Sequence, residues 1–149
     1  MSERAGDRGW MGVALGLARR CPPSRTAYSV GAVLVGADGR ELASGYSRDT
    51  DDTVHAEESA LARYAGGDLG KATLYSTLEP CSRRASRPVP CARLIIDAGV
   101  GRVVLAWREP ALFVSEPSGV ELLEAAGIEV VELPELAAAA RAVNAHLVG

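Results

Sequence analysis

The sequence contains no apolar run near the ~20 residues that a membrane-crossing helix needs, so no transmembrane segment is expected. Its start, Met1-Ser2-Glu3-Arg4-Ala5-Gly6-Asp7-Arg8, lacks the apolar core of a secretory signal, and the expected location is cytoplasmic. Basic residues are not in excess. Lys and Arg total 16 against 19 Asp and Glu, a formal net charge of −3. General nucleic-acid binders carry a basic face, so a small-molecule partner is expected instead of a nucleic acid, with room left for a small basic pocket. There are only three cysteines, an odd number that rules out a complete set of intrachain disulfides. In a reducing compartment such cysteines serve as ligands, nucleophiles or core filler. Only two histidines are present, His55 and His146. Internal repeats and long linkers are also missing, and the alanines at 137–140 read as a close-packed helix surface.

What remains is an ordinary globular composition. At 149 residues, 48% hydrophobic and 23% charged, the chain reads as one domain, 1–149, long enough to bury a real core. Helical spacing of Trp10, Val13 and Leu17 with Met11, Ala14, Leu15 and Ala18 predicts a first helix over 7–20, with Asp7 as its cap and Pro22-Pro23 as its stop. The apolar run 30–35, the turn signal Ala37-Asp38-Gly39-Arg40 and the return over 41–46 predict a β-hairpin. Helices follow over 54–65, 91–98, 118–126 and 134–147, alternating with strands over 72–78, 102–107 and 128–133. Gly66-Gly67 is the expected end of the second helix, Ser118 the cap of the fourth and Pro134 the start of the last. Alternating strands and helices call for right-handed crossovers and parallel pairing, and the leading hairpin makes the sheet mixed.

The chemistry concentrates between His55 and Cys91. His55-Ala56-Glu57 opens the second helix, Glu79-Pro80-Cys81 follows the third strand, and Pro90-Cys91 starts the third helix. One imidazole and two thiolates can hold a zinc ion and leave a fourth position for water, with a carboxylate nearby to move protons. This is the H-x-E…P-C-x-x-C type of pattern associated with zinc-dependent nucleobase deaminases. His55, Cys81 and Cys91 are therefore the candidate ligands of Zn²⁺, and Glu57 the candidate proton shuttle. Two helix N-termini are expected to meet at the C-terminal end of a strand, and their positive ends favour thiolates. A structural zinc normally takes four protein ligands, and neither Cys21 nor His146 is an evident fourth. Cys21 reads as a small hydrophobe and His146 as a surface or helix-end residue.

The chain resembles the cytidine-deaminase-like zinc hydrolase superfamily from Val30 to about Val131. Within it, four stretches are similar to the pyrimidine deaminase domain of the bifunctional riboflavin-biosynthesis deaminase/reductase. They are Gly45-Tyr46, His55-Ala56-Glu57-Glu58-Ser59-Ala60-Leu61, Thr77-Leu78-Glu79-Pro80-Cys81-Ser82 and Pro90-Cys91-Ala92. Gly101-Arg102-Val103-Val104 and Ala125-Ala126-Gly127-Ile128-Glu129-Val130 also look like that family. The resemblance implies a three-layer α/β/α sandwich with a five-stranded mixed sheet and a homodimer or higher homo-oligomer. It also implies hydrolytic removal of an amino group from a small pyrimidine-type base, nucleoside or nucleotide. The backbone around Ser76-Thr77-Leu78 would face the amine that leaves.

Departures from the family pattern fall where substrate is read. Nine residues, 82–90, separate Cys81 from Cys91, against two in the common pattern. Arg83-Arg84 stand where riboflavin-type domains have two histidines. Ser47 stands where relatives place a substrate-contacting His or Asn, and Tyr28-Ser29 replaces an Asn-Pro pair. Ser47, Ser76, Arg83 and Arg84 are the candidate substrate contacts. Arg83, Arg84 and Arg87 offer planar donor forks for a phosphate, or else form a solvated loop that pairs with the region of Glu109 and Glu116. Trp107 and Phe113 are candidates for a stacking wall or for core or dimer packing, and Tyr46 is similarly open. A purine base, a tRNA adenosine or a non-enzymatic zinc-stabilised domain are the alternatives. Intact Glu57 argues against the last, because a structural site has no use for a proton shuttle.

Overall fold

The structure, a computed structural model, describes residues 3–82, 89–108 and 117–148. Strands β1 (Gly31–Val35) and β2 (Glu41–Tyr46) form the expected antiparallel hairpin, turned by Gly39 at φ 81°. β1 is buried at all its positions whereas β2 is partly exposed, so the hairpin enters the sheet with β2 at the edge. β3 (Thr73–Leu78) pairs antiparallel with β1. β4 (Arg102–Trp107) and β5 (Glu129–Glu132) continue in parallel, giving the order β2-β1-β3-β4-β5. The parallel half needs crossovers, which α3 (Cys91–Ala98) and α4 (Gly119–Ala125) supply. This is the five-stranded mixed sheet expected from the sequence.

Helices α1 (Glu3–Ala18) and α2 (Ala56–Arg63) lie on opposite faces of that sheet. Successive strand residues point to opposite sides, and residues paired across strands share a side. Gly31 pairs with Tyr46, and Ala32 with Gly45. A Cβ on Gly31 would run into the carbonyl of Ala14 in α1, whereas one on Gly45 would meet Ser59, Ala60 and Ala56 of α2. Beside α1, on the same face against β3 and β4, lies α5 (Ala137–Val143), and α2, α3 and α4 pack in a row on the other face. The core that results buries Met11, Leu34, Leu74, Ile95, Leu105 and Leu123 completely.

The approach at Gly45 presses α2, which carries the site's histidine, directly onto the edge strand. A methyl group there would sit 2.7–2.9 Å from Ser59 Cβ, Ala60 N and Ala56 O, two of them backbone atoms that cannot step aside. Gly45→Ala is expected to lower stability by about 1–3 kcal/mol, the usual cost of overpacking, as measured by urea unfolding.

Several boundaries differ from the sequence reading. The first helix begins at Glu3, so Asp7 lies inside it and does not cap it. Asp7 is instead buried, accepting hydrogen bonds from both Nη atoms of Arg102 (2.9 and 2.6 Å) and from the Tyr75 hydroxyl (2.7 Å). Burial and the Asp7 carboxylate together push the Tyr75 phenol well above its ordinary range. α2 closes at Tyr64, before Gly66-Gly67, with the Tyr64 N–H turned back to Leu61 O. The last helix is broken into three: a 3₁₀ turn at Pro134–Leu136, α5, and α6 (Ala145–Val148). The second break falls at Asn144, whose buried amide bridges α5 to the backbone of Ser29. It accepts from Ser29 N (2.6 Å) and donates to Ser29 O (3.1 Å) and Ala140 O (3.2 Å). By contrast Ser118 caps α4 as expected, accepting from Glu121 N, and Gly99 ends α3 in the left-handed conformation. Among the described residues no helix is long and apolar enough to cross a membrane.

Candidate active site

The site is assembled where two helices start and one strand ends. His55 is the N-cap of α2, held in extended conformation while its N–H donates to Glu58 Oε1 at 3.2 Å. Cys91 is the first residue of α3, behind Pro90. Cys81 lies three residues beyond the C-terminal end of β3. His55 Nδ1 stands 3.3 Å from Cys91 Sγ and 3.7 Å from Cys81 Sγ, and all three donor atoms lie within 4.8 Å of one another. The Cys91 N–H also donates to Cys81 Sγ at 3.2 Å. Zinc–sulfur bonds of ~2.3 Å and zinc–nitrogen bonds of ~2.0–2.1 Å at tetrahedral angles require donor separations of about 3.5 Å. The observed nitrogen–sulfur distances straddle that value, so the residues present fit a zinc ion with three protein ligands.

The local electrostatics favour thiolate. The Cys81 thiol is pulled down to about 4, first by its hydrogen bond with Cys91, then by His55 and the Cys91 N–H, against burial that pushes it up. The helix end adds to this in the same sense.

The histidine and Cys81 open into a cavity of about 400 Å³, a size suited to a small-molecule ligand. Glu57, in the first turn of α2, lines it and is itself only 4% exposed. Glu79 lines it as well, buried to the same degree. Its Oε2 accepts from Val120 N at 2.8 Å, and Arg108 Nε lies 4.0 Å from Oε1. α4 thus begins directly against the segment that leads to Cys81. At Gly119 the fit is so close that a Cβ would collide with the Pro80 carbonyl.

Three comparisons place this geometry among known proteins. The sequence profile of the cytidine and deoxycytidylate deaminase zinc-binding region matches residues 5–107. The chain belongs to this family. The diaminohydroxyphosphoribosylamino-pyrimidine deaminase of Schizosaccharomyces pombe is 42% identical over 123 residues, covering 80% of this chain and 30% of that protein. Among solved structures, Acinetobacter baumannii RibD superposes with a TM-score of 0.82 at 34% identity, covering 97% of this chain and 39% of that one. The Aspergillus oryzae Rib2 deaminase, a C-terminal deletion mutant, gives 0.78 at 26% identity and covers 95% and 90% of the two chains. The chain spans about a third of the length of the curated relatives it matches. The α/β fold expected from the sequence is therefore the fold of the riboflavin-pathway deaminase domains.

Within that family frame the remaining residues fall into place unevenly. Ser47 lines the cavity, yet its hydroxyl is engaged with the backbone of Val30, accepting from N at 2.9 Å and donating to O at 3.4 Å. Ser76 is fully buried in β3 and donates to Leu78 O at 2.8 Å. Arg83, Arg84 and Arg87 lie outside the described residues, as do Glu109, Phe113 and Glu116. Trp107 belongs to the core, edge-on to the ring of Tyr28 with centroids 5.5 Å apart, and it is Tyr28 that reaches the cavity. Tyr46 sits beneath the Arg20 guanidinium, 5.3 Å away. His146 Nε2 lies 2.8 Å from Ser24 O at the molecule's surface. The sequence reading gave no role to Glu79 or Arg48, both of which wall the cavity. Glu79 lies inside the stretch Thr77-Leu78-Glu79-Pro80-Cys81-Ser82, where nothing local signals its burial, and Arg48 carries no local signal.

Proposed function

We propose that the chain is a zinc-dependent hydrolytic deaminase acting on an aminopyrimidine nucleotide of the phosphoribosylamino type named for its relatives. One observation supports it above the others. A buried carboxylate, Glu57, shares a cavity with His55 and Cys81, and those two stand with Cys91 at distances that suit zinc. His55 Nδ1, Cys81 Sγ and Cys91 Sγ would hold the ion, which supplies Lewis-acid activation of the attacking water. Glu57 accepts the proton that this water loses and hands it to the ring nitrogen beside the amino-bearing carbon. It then carries a second proton from the new hydroxyl to the departing amine. A carbon–oxygen bond forms, the carbon–nitrogen bond breaks, and ammonia leaves. Burial of Glu57 keeps bulk water from competing for that proton.

Two measurements test this reading. Purified protein is expected to contain about one zinc per chain and to release ammonia from a diaminopyrimidine ribotide faster than from cytosine nucleotides, guanine or adenine. Cys91→Ala removes a ligand that is fully buried. It is expected to lose most bound zinc by atomic absorption, with activity falling at least as far as the metal content. Zinc binding without ammonia release from any aminopyrimidine would refute the proposed activity.

A further inference from the structure

The cavity that takes in His55 and Glu57 is also walled by Ser24, Thr26 and Arg48. Arg48 is unusual in two respects. Among the described residues it is the one non-glycine with a left-handed backbone, φ 62°, a conformation that side chains disfavour. Its guanidinium is locked by four hydrogen bonds that all end on neutral oxygens. Nε and Nη2 donate to Pro22 O (3.2 and 2.7 Å), Nη2 also to Ser29 Oγ (2.9 Å), and Nη1 to Tyr28 O (3.0 Å). A guanidinium has five N–H donors, so one Nη1–H is left over.

The charge is left over as well. The neighbouring Asp49 is committed elsewhere, to Arg63 (2.7 Å), the Ser59 hydroxyl (2.8 Å) and Tyr46 N (3.1 Å). These bonds outweigh burial and hold its carboxyl below the usual range. Among the described residues no carboxylate lies within ion-pair distance of Arg48, whereas Arg8, Arg40, Arg63, Arg93, Arg102 and Arg108 each have one. A cation fixed in place, with no ion-pair partner among the described residues and sharing a cavity wall with the hydroxyl side chains of Ser24 and Thr26 and with Asp52, offers the chemistry of a phosphate site. The chain's net charge of −3 makes such a fixed cation more necessary for an anionic substrate.

We propose that Arg48 receives the phosphomonoester of the substrate's sugar-phosphate arm and makes this chain select nucleotides over nucleosides. The choice of a nucleotide rests on the deaminase reading above, but binding of the arm can be measured without turnover. Ribose 5-phosphate is the probe and ribose the control, titrated calorimetrically into the zinc-loaded full chain. Wild type is expected to bind ribose 5-phosphate at least tenfold more tightly than ribose, with affinity falling as salt rises. Arg48→Gln is expected to weaken ribose 5-phosphate at least tenfold and leave ribose unchanged. Arg48→Lys keeps the charge without the fork, and is expected to lose less. It also serves if the glutamine variant, deprived of its bonds to Pro22, Tyr28 and Ser29, fails to fold.

Equal affinity of wild type for the two sugars, or an unchanged ribose 5-phosphate affinity in Arg48→Gln, overturns the proposal. So does an equal loss for both sugars, which would make Arg48 a latch on its loop and nothing more. Intact Arg48-dependent binding with no ammonia release counts against the deaminase reading alone.

Discussion

Glu57→Gln is expected to lower kcat by about 10²–10⁴-fold while zinc content and melting temperature stay within error of wild type. The substitution is nearly isosteric, and Glu57 is not among the three residues whose donor atoms converge. On the proposed reading it therefore removes the proton carrier without touching the three converging donor groups. The amide still fills the buried position at the start of α2 and can still donate or accept a hydrogen bond, so packing has little reason to change. What it can no longer do is take a proton from water and return it to the ring and the amine. Steady-state ammonia release, with zinc measured on the same samples, reads both quantities. Activity above about a tenth of wild type in a fully zinc-loaded variant would remove Glu57 from the proton path.

Asp7→Ala is expected to cost about 3–5 kcal/mol in urea unfolding, the range for removing one partner of a buried ion pair. This is a large share of a typical total of roughly 5–15 kcal/mol. The effect arises far in sequence from the candidate catalytic residues. Asp7 ties α1 to two central strands, through Tyr75 of β3 and Arg102 of β4, and its side chain is 3% exposed against 13% for Arg102. Its loss leaves a guanidinium and a phenol without their shared acceptor. Glu129 at 3.7 Å is a distant and mostly exposed substitute. Asp7→Ala with Arg102→Met removes the stranded charge as well, and is expected to recover a substantial part of the loss. If the double variant proves no more stable than Asp7→Ala alone, the buried charge is not the source of the cost.

The elements that the sequence made legible share one property. Each is announced by residues close together in the chain. The hairpin needs only its apolar run 30–35 and the turn at Gly39, α3 the Gly99 that ends it, and α4 its cap at Ser118. The site is similar in kind, because its residues come in short motifs next to helix starts and a strand end. His55, Cys81 and Cys91 could thus be named together, and the structure brings their donor atoms within 4.8 Å. The misread boundaries have the opposite character. Asp7 has the appearance of a cap, and nothing within a turn of it shows that Arg102, 95 positions away, will claim its carboxylate. Asn144 sits in a run that reads as one helix until its amide pairs with Ser29, 115 positions away.

The chain's fold class and the group His55, Cys81 and Cys91, whose donor atoms converge, were therefore present in the order of its amino acids. Local spacing places these candidate ligands beside helix starts and a strand end, and such ends are set by short-range rules. The shape and polarity of the cavity were not. They depend on which buried polar groups satisfy one another across the fold. Glu79 meets the start of α4, Asn144 holds Ser29, and Arg48 spends four donors on neutral oxygens and keeps its charge. A buried polar group must find a partner wherever one is available, and that partner is chosen by packing in three dimensions, which no sequence period records.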